Sequence, residues 1–184
     1  TIMGRGYYNA PAGHLDFATG KGNITGAYSF YATVTEVEVD PETGHVTILN
    51  IWTVHDGGRE LNPLLVRGQI LGSAVMHIGQ TLFEGVVRDD TGRMLNTSFL
   101  EYKMPTFMDI PDSQALYSMN SPDPEGPFGA KEAGEGASGP VIASIANAIY
   151  DAVGVRFTSL PILPEKIVMG LRQKAESPCC RELR

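Results

Sequence analysis

One carboxylate stands apart from the other acidic residues of this sequence. Glu135 lies in Gly134-Glu135-Gly136-Ala137-Ser138-Gly139, a run of small residues just ahead of an apolar helical pattern. Glycines let a backbone approach a bulky ligand closely. A helix N-terminus offers unpaired N–H groups and partial positive charge, which favour a carboxylate, whereas an apolar pocket favours the protonated acid. A carboxyl group balanced between these influences can serve as a general base. The same residue reads equally well as a surface Glu that begins the helix. The run also matches G-x-G-x-x-G. However, a Gly/Pro-rich stretch precedes it instead of a strand, and Asp151 follows Gly139 by only twelve residues. A dinucleotide fingerprint needs the strand and an acidic residue about 20 residues on. A phosphate loop is also unmet, since Lys131 is followed by Glu132.

The remaining reactive residues form no comparable constellation. His14, His45, His55 and His77 share no metal-ligand spacing and no cysteine joins them, so no metal site is expected. His55-Asp56 closes a strand and reads as turn-stabilising. No Ser occupies a Gly-x-Ser-x-Gly elbow. Cys179 and Cys180 are adjacent in a polar tail, which suits free thiols in a reducing, cytoplasmic setting.

Composition bounds the rest. The 184 residues carry 14 Lys+Arg against 21 Asp+Glu, a net charge of −7, with 42 % apolar and 19 % charged residues. Such a chain has a core and is neither disordered nor a phosphate-backbone binder. Its longest weakly polar stretch, Gly139 to Val155, is interrupted by Ser144, Asn147 and Asp151, so no membrane span is expected. The opening Thr1-Ile2-Met3-Gly4 is no signal peptide, and we expect a piece cut from a longer chain.

The elements that must position these residues read as α+β: antiparallel hairpins packed with two long helices. Residues 1–26 are Gly-rich and aperiodic, an extended arm. Tyr28 to Asp40 and His45 to Asp56 form a hairpin around Asp40-Pro41-Glu42-Thr43-Gly44. Asn62 caps a helix from Pro63 to Phe83 whose Gly68, Gly72 and Gly79 suggest close packing by a backbone or a ligand. A second hairpin is expected over 82–98 around Asp89-Asp90-Thr91-Gly92, then a connector, then a strand over 114–119. The stretch 121–140 is too long a loop for a compact domain unless it is functional. Val141, Ile145, Ile149 and Val153 mark a buried helix closed by Gly154. A short strand near 155–158 and a helix from Pro164 to about Arg172 follow, with 173–184 a flexible tail.

In order along the chain, Glu36-Val37-Glu38-Val39-Asp40 with Thr43-Gly44, Asn62-Pro63, Gly68-Gln69-Ile70 with Gly72, Tyr102-Lys103-Met104-Pro105-Thr106, and Gly126-Pro127-Phe128-Gly129-Ala130-Lys131 leading to Gly134-Glu135 resemble the C-terminal part of the molybdopterin-binding subunit of the xanthine dehydrogenase/aldehyde oxidase family. The Lys-Met-Pro-Thr and Gly-Pro-Phe-Gly-Ala-Lys-Glu variants lean toward its 4-hydroxybenzoyl-CoA reductase-like branch. The resemblance covers roughly 26–172, so residues 27–172 are the expected domain portion. It implies that Gln69 hydrogen-bonds the molybdopterin, in its cytosine dinucleotide form if the source is bacterial. It implies that Glu135 is the catalytic base beside molybdenum, with Gly134 and Lys131 as cofactor-side neighbours. The reaction would be hydroxylation of an aldehyde or N-heterocycle, or reductive dehydroxylation of an aromatic acyl-CoA. Electrons would leave through iron–sulfur clusters and FAD on partner domains or subunits, since two cysteines cannot hold a four-thiolate cluster. The rest of the molybdenum subunit is therefore an expected partner, and this chain alone is expected to be inactive. A competing reading is a non-catalytic nucleotide- or partner-binding module that uses loop 126–139.

Overall fold

The computed structural model describes residues 2–111 and 113–176. Strands β1 (Tyr31–Val39) and β2 (Val46–His55) pair antiparallel, as the alternation over 28–56 predicts. Their turn is tied by Asp40, whose carboxylate accepts from the Thr43 hydroxyl at 2.6 Å and the Glu42 amide at 2.9 Å. These bonds, the hydroxyl first, hold the Asp40 carboxyl below its ordinary pKa.

The pairing register jumps between Glu36↔Asn50 and Val37↔Ile48, which leaves Leu49 as a bulge residue. The extra residue explains why the buried positions of β2 step by three from Ile48 to Ile51 and by two elsewhere. On β1, Thr35, Val37 and Val39 face inward, while Val34 points outward and is 62 % exposed.

Helix α1 (Pro63–Leu82) begins where the Asn62 side chain accepts from the Leu65 amide at 3.2 Å. Strand β3 (Ser113–Ser118) returns beside β2 and runs parallel to it, giving the sheet order β1-β2-β3. A parallel partner needs a crossover, which α1 and the segment after it supply. The hairpin expected over 82–98 is reduced to its turn. Arg88 and Met94 form a single bridge outside the sheet, and Asp89 ties the loop through Thr91 and Arg93. The first expected strand fails because its opening residue, Leu82, belongs to α1, where it is buried.

Helix α2 (Gly139–Val153) lies on β1 and packs against α1. Val141, Ile145 and Ile149 are wholly buried, and Thr35 and Ser144 share a hydroxyl hydrogen bond of 2.7 Å across this seam. Gly154 closes the helix in the left-handed conformation, φ 65°. No strand forms over 155–158, where the chain instead runs irregularly along α3 (Pro164–Glu176). Helix α3 extends four residues past the expected Arg172, so 173–176 are helical rather than tail. Lys174 donates from this last turn to the Val153 carbonyl at 2.9 Å. Cys179 and Cys180 lie outside the described residues.

The core joins these pieces through Ile48, Ile51, Ala74, Ile78, Val141, Ile145, Ile149, Ile162 and Ile167. Each fully buried isoleucine contributes about 2 kcal/mol of hydrophobic stabilisation. Residues 2–26 form no helix or strand, only the Asp16↔Lys21 bridge. No helix among the described residues is long and apolar enough to cross a membrane.

Candidate functional site

Strand β2 ends at His55-Asp56-Gly57-Gly58, and all four residues are buried. His55 is 0 % exposed and stacks on Tyr31, its cross-strand partner, with ring centroids 4.5 Å apart and planes at 9°. Its Nε2 lies 3.1 Å from the Glu132 carbonyl. A carbonyl only accepts, so this nitrogen carries the proton. Burial lowers the imidazole pKa and keeps the ring neutral. Any side chain at Gly57 would press on the His55 ring. Gly58 takes φ +67° and abuts the Gly129 carbonyl, a position closed to other residues by both conformation and space.

This strand end is laced to the loop that carries Glu135. The Lys131 amide donates to the Gly57 carbonyl at 3.0 Å, the Arg59 amide to the Gly129 carbonyl at 2.8 Å, and Gly58 bridges Ala130. The Lys131 ammonium meets Asp56 at 2.7 Å, with the two side chains only 12 % and 8 % exposed. The hydrogen bond from Lys131 leads the effects that hold the Asp56 carboxyl below its ordinary pKa of 3.8. Within the loop, Phe128 takes φ 57°, unusual for a residue with a side chain, between Gly126 and Gly129.

Beyond Lys131 the chain turns toward α1. One oxygen of Glu132, Oε2, accepts from the Gly134 amide at 2.9 Å and the Gly136 amide at 3.4 Å, so the two residues flanking Glu135 are both tied to it. The Ser73 hydroxyl of α1 donates to the Gly134 carbonyl at 3.2 Å. Ser138 donates to the Glu135 carbonyl. A 3-10 turn over Gly136–Ser138 then runs into α2. Glu135 thus precedes a helical run, yet its carboxylate makes no capping bond, so capping does not occupy it.

The result is an open cleft of about 300 Å³ between α1 and this loop, lined by Gly68, Gln69, Gly72, Ser73, His77 and Glu135 among others. The structure brings Gln69, Gly134 and Glu135 to one cleft. Lys131 is not among the lining residues, and its ammonium is engaged by Asp56 instead. His77, another lining residue, donates from Nδ1 to the Ser73 carbonyl at 2.7 Å. The glycines of α1 divide by role. A Cβ at Gly68 or Gly72 would meet nothing, whereas one at Gly79 would strike the Pro105 ring at 2.7 Å. The side-chain-free strip at 68 and 72, the neutral amide of Gln69 and the free carboxylate of Glu135 fit a flat, polar, hydrogen-bonding group such as a pterin.

Sequence reading missed the Asp56–Lys131 pair, the Tyr31–His55 stack and the double role of Glu132. His55-Asp56 did carry a signal, as two polar residues that close a strand and read as turn-stabilising. Asp56 also accepts from the Gly58 amide at 3.4 Å, the local role expected of it. Its partner 75 positions away had no local signature.

Comparison with known proteins follows the same outline. The model of a family described as molybdopterin cofactor-binding domain matches residues 1–111. The 6-hydroxypseudooxynicotine dehydrogenase complex subunit gamma of Paenarthrobacter nicotinovorans is 39 % identical over 142 residues, covering 76 % of this chain and 18 % of that protein. A putative xanthine dehydrogenase molybdenum-binding subunit of Escherichia coli is 36 % identical over 162 residues, covering 88 % and 21 %. The solved aldehyde oxidoreductase of Desulfovibrio gigas superimposes with a TM-score of 0.80 at 34 % identity, covering 88 % of this chain and 17 % of that one. The chain therefore spans about a fifth of the length of these relatives.

Proposed function

The chain belongs to the molybdopterin cofactor-binding domain family, as part of a molybdenum-binding subunit of the xanthine dehydrogenase/aldehyde oxidoreductase kind, and from that premise we propose that it forms one wall of the cofactor site of an oxidoreductase and supplies its general base, Glu135. The observation that carries this reading is the shared cleft. Gln69 on α1 and Glu135 on the facing loop come from distant parts of the sequence and line one open space with glycines between them.

When bound, a molybdenum cofactor supplies two-electron redox chemistry at the substrate carbon. The residues of this chain do the positioning and the proton transfer. The Gln69 amide, presented from α1, would hold the pterin by hydrogen bonds. Gly68 and Gly72 keep that stretch of the helix clear of side chains. The Glu135 carboxylate would take the proton from the attacking oxygen nucleophile. Gly134 keeps the approach to that carboxylate free of side chains.

The remainder of the molybdenum subunit closes the site. Electrons would leave to iron–sulfur- and FAD-carrying partners, a reading supported by relatives named as subunits of larger enzymes. Relatives named for nicotine-derived substrates, xanthine and aldehydes support hydroxylation of an N-heterocycle or aldehyde. The Lys103-Met104-Pro105-Thr106 and Gly126–Lys131 wording supports a second reading, reduction of an aromatic acyl-CoA. The deciding experiment is Glu135→Gln in the assembled enzyme. Turnover collapses while molybdenum and pterin content stay normal; unchanged turnover would remove Glu135 from the reaction.

A further inference from the structure

The Glu135 loop is held from two sides by adjacent residues that do not themselves reach the cleft. Lys131 reaches back to the sheet, where it meets Asp56 at 2.7 Å, and Glu132 folds forward over the amides of Gly134 and Gly136. The backbone between these two grips is pinned as well, since the Glu132 carbonyl accepts from His55 and the Lys131 amide bonds Gly57. Space behind the loop is full. A Cβ at Gly136 would collide with the Glu132 carboxylate and with the hydroxyl and ring of Tyr31.

We propose that Lys131 and Glu132 are positioning residues that clamp Glu135: Lys131, through Asp56, sets where the loop leaves the sheet, and Glu132 sets the orientation of the peptide units on either side of the base. The proposal rests on the reading of Glu135 as the base and deepens it. Two features give it content. Glu132 uses a single oxygen for both amides, so its role needs an acceptor and not a negative charge. The Lys131–Asp56 pair is shielded from water, so it fixes geometry more firmly than an exposed pair does. A base displaced by about 1 Å loses on the order of a hundredfold in rate, because proton transfer needs a near-attack geometry.

The test uses the assembled molybdenum enzyme and four variants, with kcat, KM and molybdenum content measured on each. Glu132→Ala lowers kcat by about tenfold or more, with KM and molybdenum content near those of the parent. Glu132→Gln keeps a carbonyl oxygen able to accept both amides, and restores kcat to within about threefold of the parent. The double variant Asp56→Asn, Lys131→Met removes both charges without stranding either, and lowers kcat in the same way as Glu132→Ala. Glu135→Gln is run beside them. If it abolishes turnover while Glu132→Ala is unimpaired, the clamp is wrong and the base reading stands. A Glu132→Gln enzyme as slow as Glu132→Ala, or losses that track missing molybdenum, overturns the clamp too. If Glu135→Gln itself turns over normally, both readings fall together.

Discussion

The two faces of the 131–136 loop are built on opposite terms. Toward the sheet, His55, Asp56, Gly57 and Gly58 are buried, and the loop is bonded to His55, Asp56, Gly57 and Arg59 through Gly129, Lys131 and Glu132. Toward α1, Gln69, Gly72 and Glu135 are exposed, and the loop is joined to the helix by the bond from Ser73 to Gly134 and by the packing of the Gly136–Ser138 turn. Exposed groups are hydrated, so a ligand can take over their hydrogen bonds without breaking any within the chain. The difference separates a side that holds from a side left accessible.

Changes on the two faces should therefore fail in different currencies. The largest effect belongs to the open face: Glu135→Gln lowers kcat by about 10³-fold, the middle of the range for a lost general base, with no change in melting temperature. If the melting temperature falls as well, the carboxylate has a structural duty and the contrast weakens. On the closed face, Lys131→Met strands the Asp56 carboxylate and costs about 2–3 kcal/mol of stability, read as a lower melting temperature of the assembled subunit at pH 7.

The Lys131→Met deficit also has a pH signature. The Asp56 carboxyl is depressed in the folded state from its ordinary 3.8. Its contribution is therefore complete above that value and is lost as pH falls through the lower folded value. In the variant the lowering effect of Lys131 is gone while burial still raises the Asp56 pKa. The gap between parent and Lys131→Met therefore begins to narrow above 3.8, as the stranded carboxyl takes up a proton, and narrows further as the parent protonates below it. A gap that does not shrink on acidification would assign it to another group.

The smallest effects come from the glycines of α1. Gly72→Ala adds a methyl where no atom lies within 4 Å, and raises stability by up to about 1 kcal/mol while reducing cofactor content. Gly79→Ala, driven into Pro105, lowers stability and leaves the cleft untouched. Thermal melts and molybdenum analysis of the pair separate a glycine kept for a ligand from one kept for packing. Equal behaviour would erase the distinction.

Local rules carried the sequence reading far. The β1–β2 hairpin, the Asn62 cap, the Gly154 stop and the buried stripe on α2 each follow from residues within a few positions of one another. The reading fell short where partners are remote. The parallel pairing of β3 depends on a crossover with no signature in Gln114 to Met119, and the strand expected at the end of α1 lost Leu82 to the core. At the site, Gln69 and Glu135 were found through the family resemblance. The chemistry of Gly134–Gly139 alone left a general base and a surface Glu equally open. The Lys131–Asp56 pair was hidden because neither residue has a local pattern that names the other.

The lacing of 55–58 to 129–132 has one more consequence, for the order in which the chain assembles. The hairpin and α1 close over short separations, whereas Asp56 must wait for a residue 75 positions later. Closing a loop of that length costs more chain entropy than closing the hairpin does, as it does for the still longer loop between Thr35 and Ser144. During synthesis, Asp56 emerges from the ribosome long before its counter-charge exists. A product that stops short of Lys131 lacks both the counter-charge of Asp56 and the three wholly buried residues that α2 lays on β1, so the pinned strand end and the closed core are lost together.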